Sequence, residues 1–86
     1  MKVYVPSPLR AYTEKSEIVE AEGTMLSELF ADLDRKYPGI RFRIINEQDQ
    51  IREHVKIFVN EEIAADLAFQ LKGYDIIRIV MAISGG

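Results

Sequence analysis

The chain has 86 residues with no cysteine and a single histidine, carries a net charge of −3, and is 48% hydrophobic and 29% charged. That fits one domain spanning residues 1–86, with a thin core, and is too apolar for a disordered chain. It excludes disulfides, thiolate metal sites, cysteine nucleophiles and a multi-histidine metal centre, so no resident metal is expected. No basic block offers clustered Lys and Arg to phosphates, which argues against nucleic acid as a partner. The start MKVYVPSPLR is too polar for a signal peptide and no run approaches a membrane span, so the expectation is no membrane contact and a cytoplasmic location.

KVYVP (Lys2 to Pro6) alternates and is rich in β-branched residues, so it reads as a strand ended by Pro6 and Pro8. SEIVEAEG reads as a second strand, Val19 and Ala21 facing in and Glu20 and Glu22 out, with RAYTEK as the turn between them. In GTMLSELFADLDRKYPG, Leu26, Leu29, Phe30, Leu33 and Tyr37 fall at helical spacing and form one apolar stripe. Thr24 is the expected N-cap, Pro38-Gly39 the stop, and Arg35 and Lys36 suit the helix C-terminus. IRFRII (Ile40 to Ile45) alternates and reads as a strand, and NEQDQIREH as a loop or hairpin tip. VKIFVNEEI is a strand with Asn60 as its turn residue, AADLAFQL has room for a short helical turn, KGYD is a turn, and IIRIVMAI is the last strand.

The predicted order is β-β-α-β-β-β, an α+β roll with a mixed sheet packed on one main helix. The first and last strands are the natural central pair, and they run parallel if adjacent, with the segment between them as crossover. Parity places Val55, Ile57 and Val59 on one sheet face, together with Ile77, Ile79, Met81 and Ile83. One helix covers one face only. The other then carries Phe58, Arg78 and Val80, a mixed apolar and charged patch that is a candidate partner-docking surface unless the NEQDQIREH loop folds over it.

Gly85-Gly86 follows the last apolar run. Two glycines at one fixed place arise by chance in about one chain in 200. Together with PSPLRAYT near the start, EGTMLSELFADLDRKYPGIRFRI through the helix and VKIFVNEE in the middle, this end resembles the ubiquitin-like sulfur-carrier family, the MoaD/ThiS-like β-grasp proteins. The resemblance is nearest to the molybdopterin synthase small subunit and the cysteine synthase-type carriers. Three places depart from the family pattern. Glu61 stands where a glycine usually follows the asparagine, Gly73-Tyr74-Asp75 replaces Asp-Gly-Asp, and Met81-Ala82-Ile83-Ser84 precedes the diglycine in place of Pro-Ala-Val-Ala.

The resemblance implies a carrier and no enzyme in its own right. A ubiquitin-activating-like adenylyltransferase, using ATP and Mg, would adenylate the Gly86 carboxylate, and sulfur would displace AMP to leave a thiocarboxylate. A sulfur-accepting synthase, either a molybdopterin synthase large subunit or a cysteine synthase-type enzyme, would consume it. The chain itself would bind no cofactor. Ala82, Ile83, Ser84, Gly85 and Gly86 would enter the partner's active site, glycine serving because it threads a narrow channel and adopts positive φ. Two other readings use the same residues: a protein modifier joined through Gly86 to target lysines, and a plain β-grasp interaction domain with an inert tail. His54, Glu14-Lys15, Glu61-Glu62 and the helix acids read as surface charge, and no Ser-His-Asp set, phosphate loop or metal cluster can be assembled, so no residue is a candidate catalyst.

Overall fold

A computed structural model describes residues 1–82. Strands β1 (Lys2–Tyr4), β2 (Ile18–Glu20), β3 (Val55–Val59), β4 (Glu62–Ile63) and β5 (Ile76–Met81) form one sheet in the order β2-β1-β5-β3-β4. Helices α1 (Leu26–Lys36) and α2 (Ile40–Ile44) follow β2 in the chain. The first and last strands are neighbours and run parallel, Val3 opposite Ile77, and every other pairing is antiparallel. This is the β-grasp arrangement, in which the parallel pair needs a crossover and α1 supplies it.

The α1 stripe packs as its spacing dictates. Leu26, Leu29, Phe30 and Leu33 are fully buried, against Val3, Val19, Ile57 and Ile77 from the sheet. Gly23 precedes the helix because an added Cβ would stand 2.6 Å from the Leu29 nitrogen, too close for any side chain. The expected Thr24 cap is not formed. Met25 occupies the cap position without a side-chain bond, and Thr24 instead donates its N–H and hydroxyl to Glu28 Oε1, each at 2.7 Å. The free helix donors are met by main chain: Leu26 N–H bonds the Phe69 carbonyl at 3.1 Å and Ser27 N–H the Leu67 carbonyl at 3.0 Å. The AADLAFQL segment therefore caps the helix as an irregular turn, closed by Asp66 accepting from the Ala68 N–H.

The expected strand over Ile40–Ile45 is corrected. Ile40–Ile44 is helical, and the order becomes β-β-α-α-β-β-β. Ile40 and Ile44 are four apart as well as an even number apart, so the same two side chains reach the core from either periodicity. Local geometry decides. Gly39 adopts φ 98°, and Asp34 Oδ1 accepts from the Gly39 and Arg41 N–H groups at 3.1 and 3.0 Å, starting a new turn. Phe42, between the two isoleucines, is left 53% exposed. The fifth strand is β4, folded back on β3 around Asn60.

Asn60 does more than turn the chain. It holds φ 58°, and its side chain ties that turn to the one before β5. Nδ2 donates to Asp75 Oδ1 at 3.0 Å, Oδ1 accepts from the Ile76 N–H at 3.0 Å, and Asp75 Oδ2 accepts from the Lys72 N–H at 2.8 Å. Asp75 is buried, so these bonds are what its carboxylate has in place of water. The positive φ sits on Asn60, which explains how Glu61 stands where the family has glycine. Replacing Asn60 by Ala removes the clamp and leaves a Cβ residue in the left-handed region, at a cost of about 2–3 kcal/mol, whereas Asn60→Gly keeps the backbone and loses about 1–2. Urea denaturation of the two variants separates the contributions.

On the wet side of α1, Asp32 Oδ2 accepts from the Glu22 N–H at 2.9 Å, and the carboxylate meets Arg35 and Lys36. That backbone bond, with the Arg35 contact second, lowers its pKa from 3.8 to about 2. A depressed carboxylate stabilises the fold fully above the unfolded value and loses that contribution as pH falls through the folded one. The expected stability gap between wild type and Asp32→Asn is about 1 kcal/mol at pH 7. It closes across the window set by those two pKa values, as measured by denaturation at a series of pH values.

Candidate functional site

With α1 on one face, the opposite face of the sheet has no helix over it. The pairing register places Ile63, Phe58, Arg78, Tyr4 and Ile18 in one row across all five strands, from β4 through β3, β5 and β1 to β2. Val80 lies two residues along β5 from Arg78, with Lys56 opposite it on β3. Ile63, Val80 and Ile18 are exposed at 60%, 47% and 46%, Arg78 is exposed, and Phe58 and Tyr4 are half-buried. The 46–54 loop does not cover this surface. It closes on itself through Asn46, whose side chain accepts from the Gln48 and Gln50 N–H groups, and through the Ile45–Ile51 bridge.

The structure thus brings Phe58, Arg78 and Val80 onto one exposed face. Sequence reasoning missed Tyr4, Ile18 and Ile63. The first two follow from alternation, since Val3 and Val19 point into the core and their neighbours must point out. Ile63 needed the hairpin register, which Asn60 fixes. Arg78 lies flat on the row, its guanidinium 4.7 Å from the Tyr4 ring centroid, a cation–π contact that holds its charge over apolar surface. A shallow cleft of about 320 Å³ opens beside it between Tyr4, Pro6, Arg10, Ile18 and Val80.

At the end of β5 the chain leaves the sheet. Met81 still pairs with Val55, and the Ala82 N–H donates to the His54 carbonyl at 2.8 Å. On the other side β1 pairs with β5 only as far as Arg78, because it ends at Tyr4 and passes through Pro6 into a 3-10 turn at Ser7–Leu9. Proline has no N–H to extend the ladder. Ala82 is exposed; Ile83, Ser84, Gly85 and Gly86 lie outside the described residues. Among the described residues no group of three His, Asp or Glu side chains is placed to hold a metal ion, and no helix is long and apolar enough to cross a membrane.

The site is thus a bare, partly apolar sheet face beside a tail that continues from the sheet's middle strand. Residues 3–86 match the ThiS family. Sulfur carrier protein CysO of Mycobacterium tuberculosis is 32% identical, the alignment covering 98% of this chain and 96% of that protein. A chain in the crystal structure of the Amycolatopsis orientalis BexX/CysO complex superposes with a TM-score of 0.91 at 28% identity, over 99% of this chain and 98% of that one. Small archaeal modifier protein 1 of Methanosarcina acetivorans shares the fold, with a TM-score of 0.81 at 23% identity over 99% and 94% of the two chains. The match runs nearly end to end, through both the sheet and the diglycine, and the chain belongs to the ThiS family of ubiquitin-like sulfur-carrier proteins.

Proposed function

We propose that this chain carries sulfur on the carboxylate of Gly86. The observation that carries the reading is its similarity over 98% of its length to sulfur carrier protein CysO, together with the diglycine at residues 85 and 86. A free carboxylate is a poor electrophile. An ATP-dependent activating enzyme, with Mg, joins it to AMP and releases pyrophosphate. Hydrosulfide then attacks the acyl carbon, AMP leaves, and a thiocarboxylate remains whose sulfur is nucleophilic. A second enzyme takes that sulfur into a metabolite. The CysO likeness favours an acceptor of the cysteine synthase type over a molybdopterin synthase large subunit.

Gly86 supplies the reacting carboxylate and Gly85 the passage, while Ala82, Ile83 and Ser84 form the stem that enters the partner. The body of the protein recognises. Phe58, Arg78, Tyr4, Ile18 and Ile63 in one row, with Val80 two residues along β5 from Arg78, offer apolar side chains around a central cation, a mixed surface suited to docking. The chain needs no catalytic group of its own, because both chemical steps belong to its partners.

Incubated with an activating enzyme that loads ThiS-family carriers, ATP, magnesium and sulfide, the intact chain is expected to gain the mass difference between sulfur and oxygen. Fragmentation locates the change at Gly86, and deletion of Gly86 abolishes it. An unchanged wild-type mass overturns the carrier reading and moves the interaction-domain reading to the front.

Val80→Asp tests the docking face. Its stability stays within about 0.5 kcal/mol of wild type, since the side chain is exposed. Loading slows on the order of tenfold in kcat/KM, because a charge replaces an apolar side chain and its desolvation in the contact is costly even with Lys56 opposite.

A further inference from the structure

A second cleft of about 320 Å³ lies at the root of the tail, lined by Phe42, Arg43, Arg52, His54 and Met81. Three separate parts of the chain build it: α2, the loop that follows, and the end of β5. Phe42 and Met81 give its lining apolar surface, and Arg43, Arg52 and His54 give it two guanidinium groups and an imidazole.

Arg52 is the organised member. Its Nε donates to the Phe42 carbonyl at 2.8 Å, its backbone N–H donates to the Ile44 carbonyl at 3.0 Å, and its guanidinium lies 4.6 Å from the centroid of the Phe42 ring. Those contacts fix the plane of the fork and use one of its donors; Arg52 lines the cleft, and its terminal nitrogens make no hydrogen bond among the described residues. A guanidinium already held in place loses little entropy when it binds.

The charge distribution sets this cleft apart. Acidic residues outnumber basic ones by 14 to 11. Arg10, Arg35 and Arg41 each pair with a carboxylate, Glu17, Asp32 and Asp49 respectively, and Arg78 lies on Tyr4. Of the chain's six arginines that leaves Arg43, Arg52 and Arg78 without an ion pair among the described residues, and the first two share one cleft. Glu53, between Arg52 and His54 in sequence, is exposed and does not line it.

The location sets its partner. The His54 carbonyl holds the Ala82 N–H, so the cleft is fixed to the last described residue before the tail. Four residues remain to Gly86, and an extended segment of that length spans at most ~14 Å. A ligand in the cleft therefore sits at the mouth of whatever site takes Gly86, away from the chemistry. We propose that the cleft is a carboxylate-binding site that grips an acidic segment, bearing an adjacent apolar side chain, on the rim of the enzyme that activates the tail. A guanidinium fork suits a carboxylate in bidentate contact, the Phe42 and Met81 side chains suit the apolar neighbour, and two arginines lining one cleft on an acidic protein steer the encounter. This inference rests on the carrier reading above.

The test is the initial rate of Gly86 loading by the activating enzyme at several salt concentrations. The variants are Arg43→Glu alone, Arg43→Glu with Arg52→Glu, and Lys72→Glu on the distant Gly73 turn as control. The double variant is expected to lose on the order of tenfold in kcat/KM at low salt, with kcat retained and the gap narrowing as salt rises; Arg43→Glu loses part of this and Lys72→Glu none. Arg43 is exposed and its side chain makes no hydrogen bond or ion pair among the described residues, so the single variant keeps the test valid should the double variant misfold. Wild-type loading with the charge-reversed variants equal to it, or with a gap that salt does not change, overturns the inference and leaves the carrier reading standing. Failure of the wild type to load overturns both.

Discussion

The parallel pairing of β1 with β5 is the constraint on which the rest of the molecule depends. Two adjacent parallel strands cannot be joined by a tight turn, so the chain between them must cross over the sheet. Here that crossover begins with α1, whose buried stripe is one helix wide. One helix covers one face. The row from Ile63 to Ile18 stays bare because the topology has no second layer to place over it. The same pairing puts β5 between β1 and β3, so the chain leaves the sheet from its interior and the tail begins at a rigid point.

The short length of β1 adds a second consequence. Pro6 and Pro8 stop the strand after Tyr4, so beyond Arg78 the last strand keeps only β3 beside it. The side of β5 next to Ile79 and Val80 meets the cleft lined by Val5 and Pro6 in place of another ladder. An unpaired stretch of strand leading into a tail is the geometry in which an extended segment joins a partner's sheet. On the carrier reading the prolines act through hydrogen bonds they cannot make: the Val5 N–H continues the pairing with β2 by donating to the Glu17 carbonyl, and Pro6 after it has no N–H to offer β5.

Much of this was legible in the sequence, for identifiable reasons. The α1 stripe, the parity of β3 and β5 and the central pairing of the first and last strands each follow from one periodicity or one connection rule. The Ile40–Ile45 segment was not legible, because two isoleucines four apart satisfy helix and strand alike and the choice rests on Asp34, six residues upstream of Ile40. The α1 cap was hidden because its acceptors are main-chain carbonyls of Leu67 and Phe69, which have no side-chain signature. The clamp between Asn60 and Asp75 and the cleft beneath Arg52 join residues far apart in sequence. Their residue types were visible, but their meeting was not.

On the carrier reading, recognition belongs to two surfaces on the body and the chemistry to Gly86. Had the diglycine carried affinity as well as chemistry, its side chains would have to be large, and a large side chain cannot thread a narrow channel. On the carrier reading, partner contact belongs to the row around Arg78, on the sheet, and to the cleft around Arg52, whose guanidinium is held by Phe42, so both lose little entropy on binding. The tail then needs only reach and smallness. A carrier must also leave one enzyme for the next, which disfavours a large apolar interface. A half-exposed row broken by Arg78, and a cleft whose attraction is screened by salt, are surfaces of intermediate strength suited to serial partners.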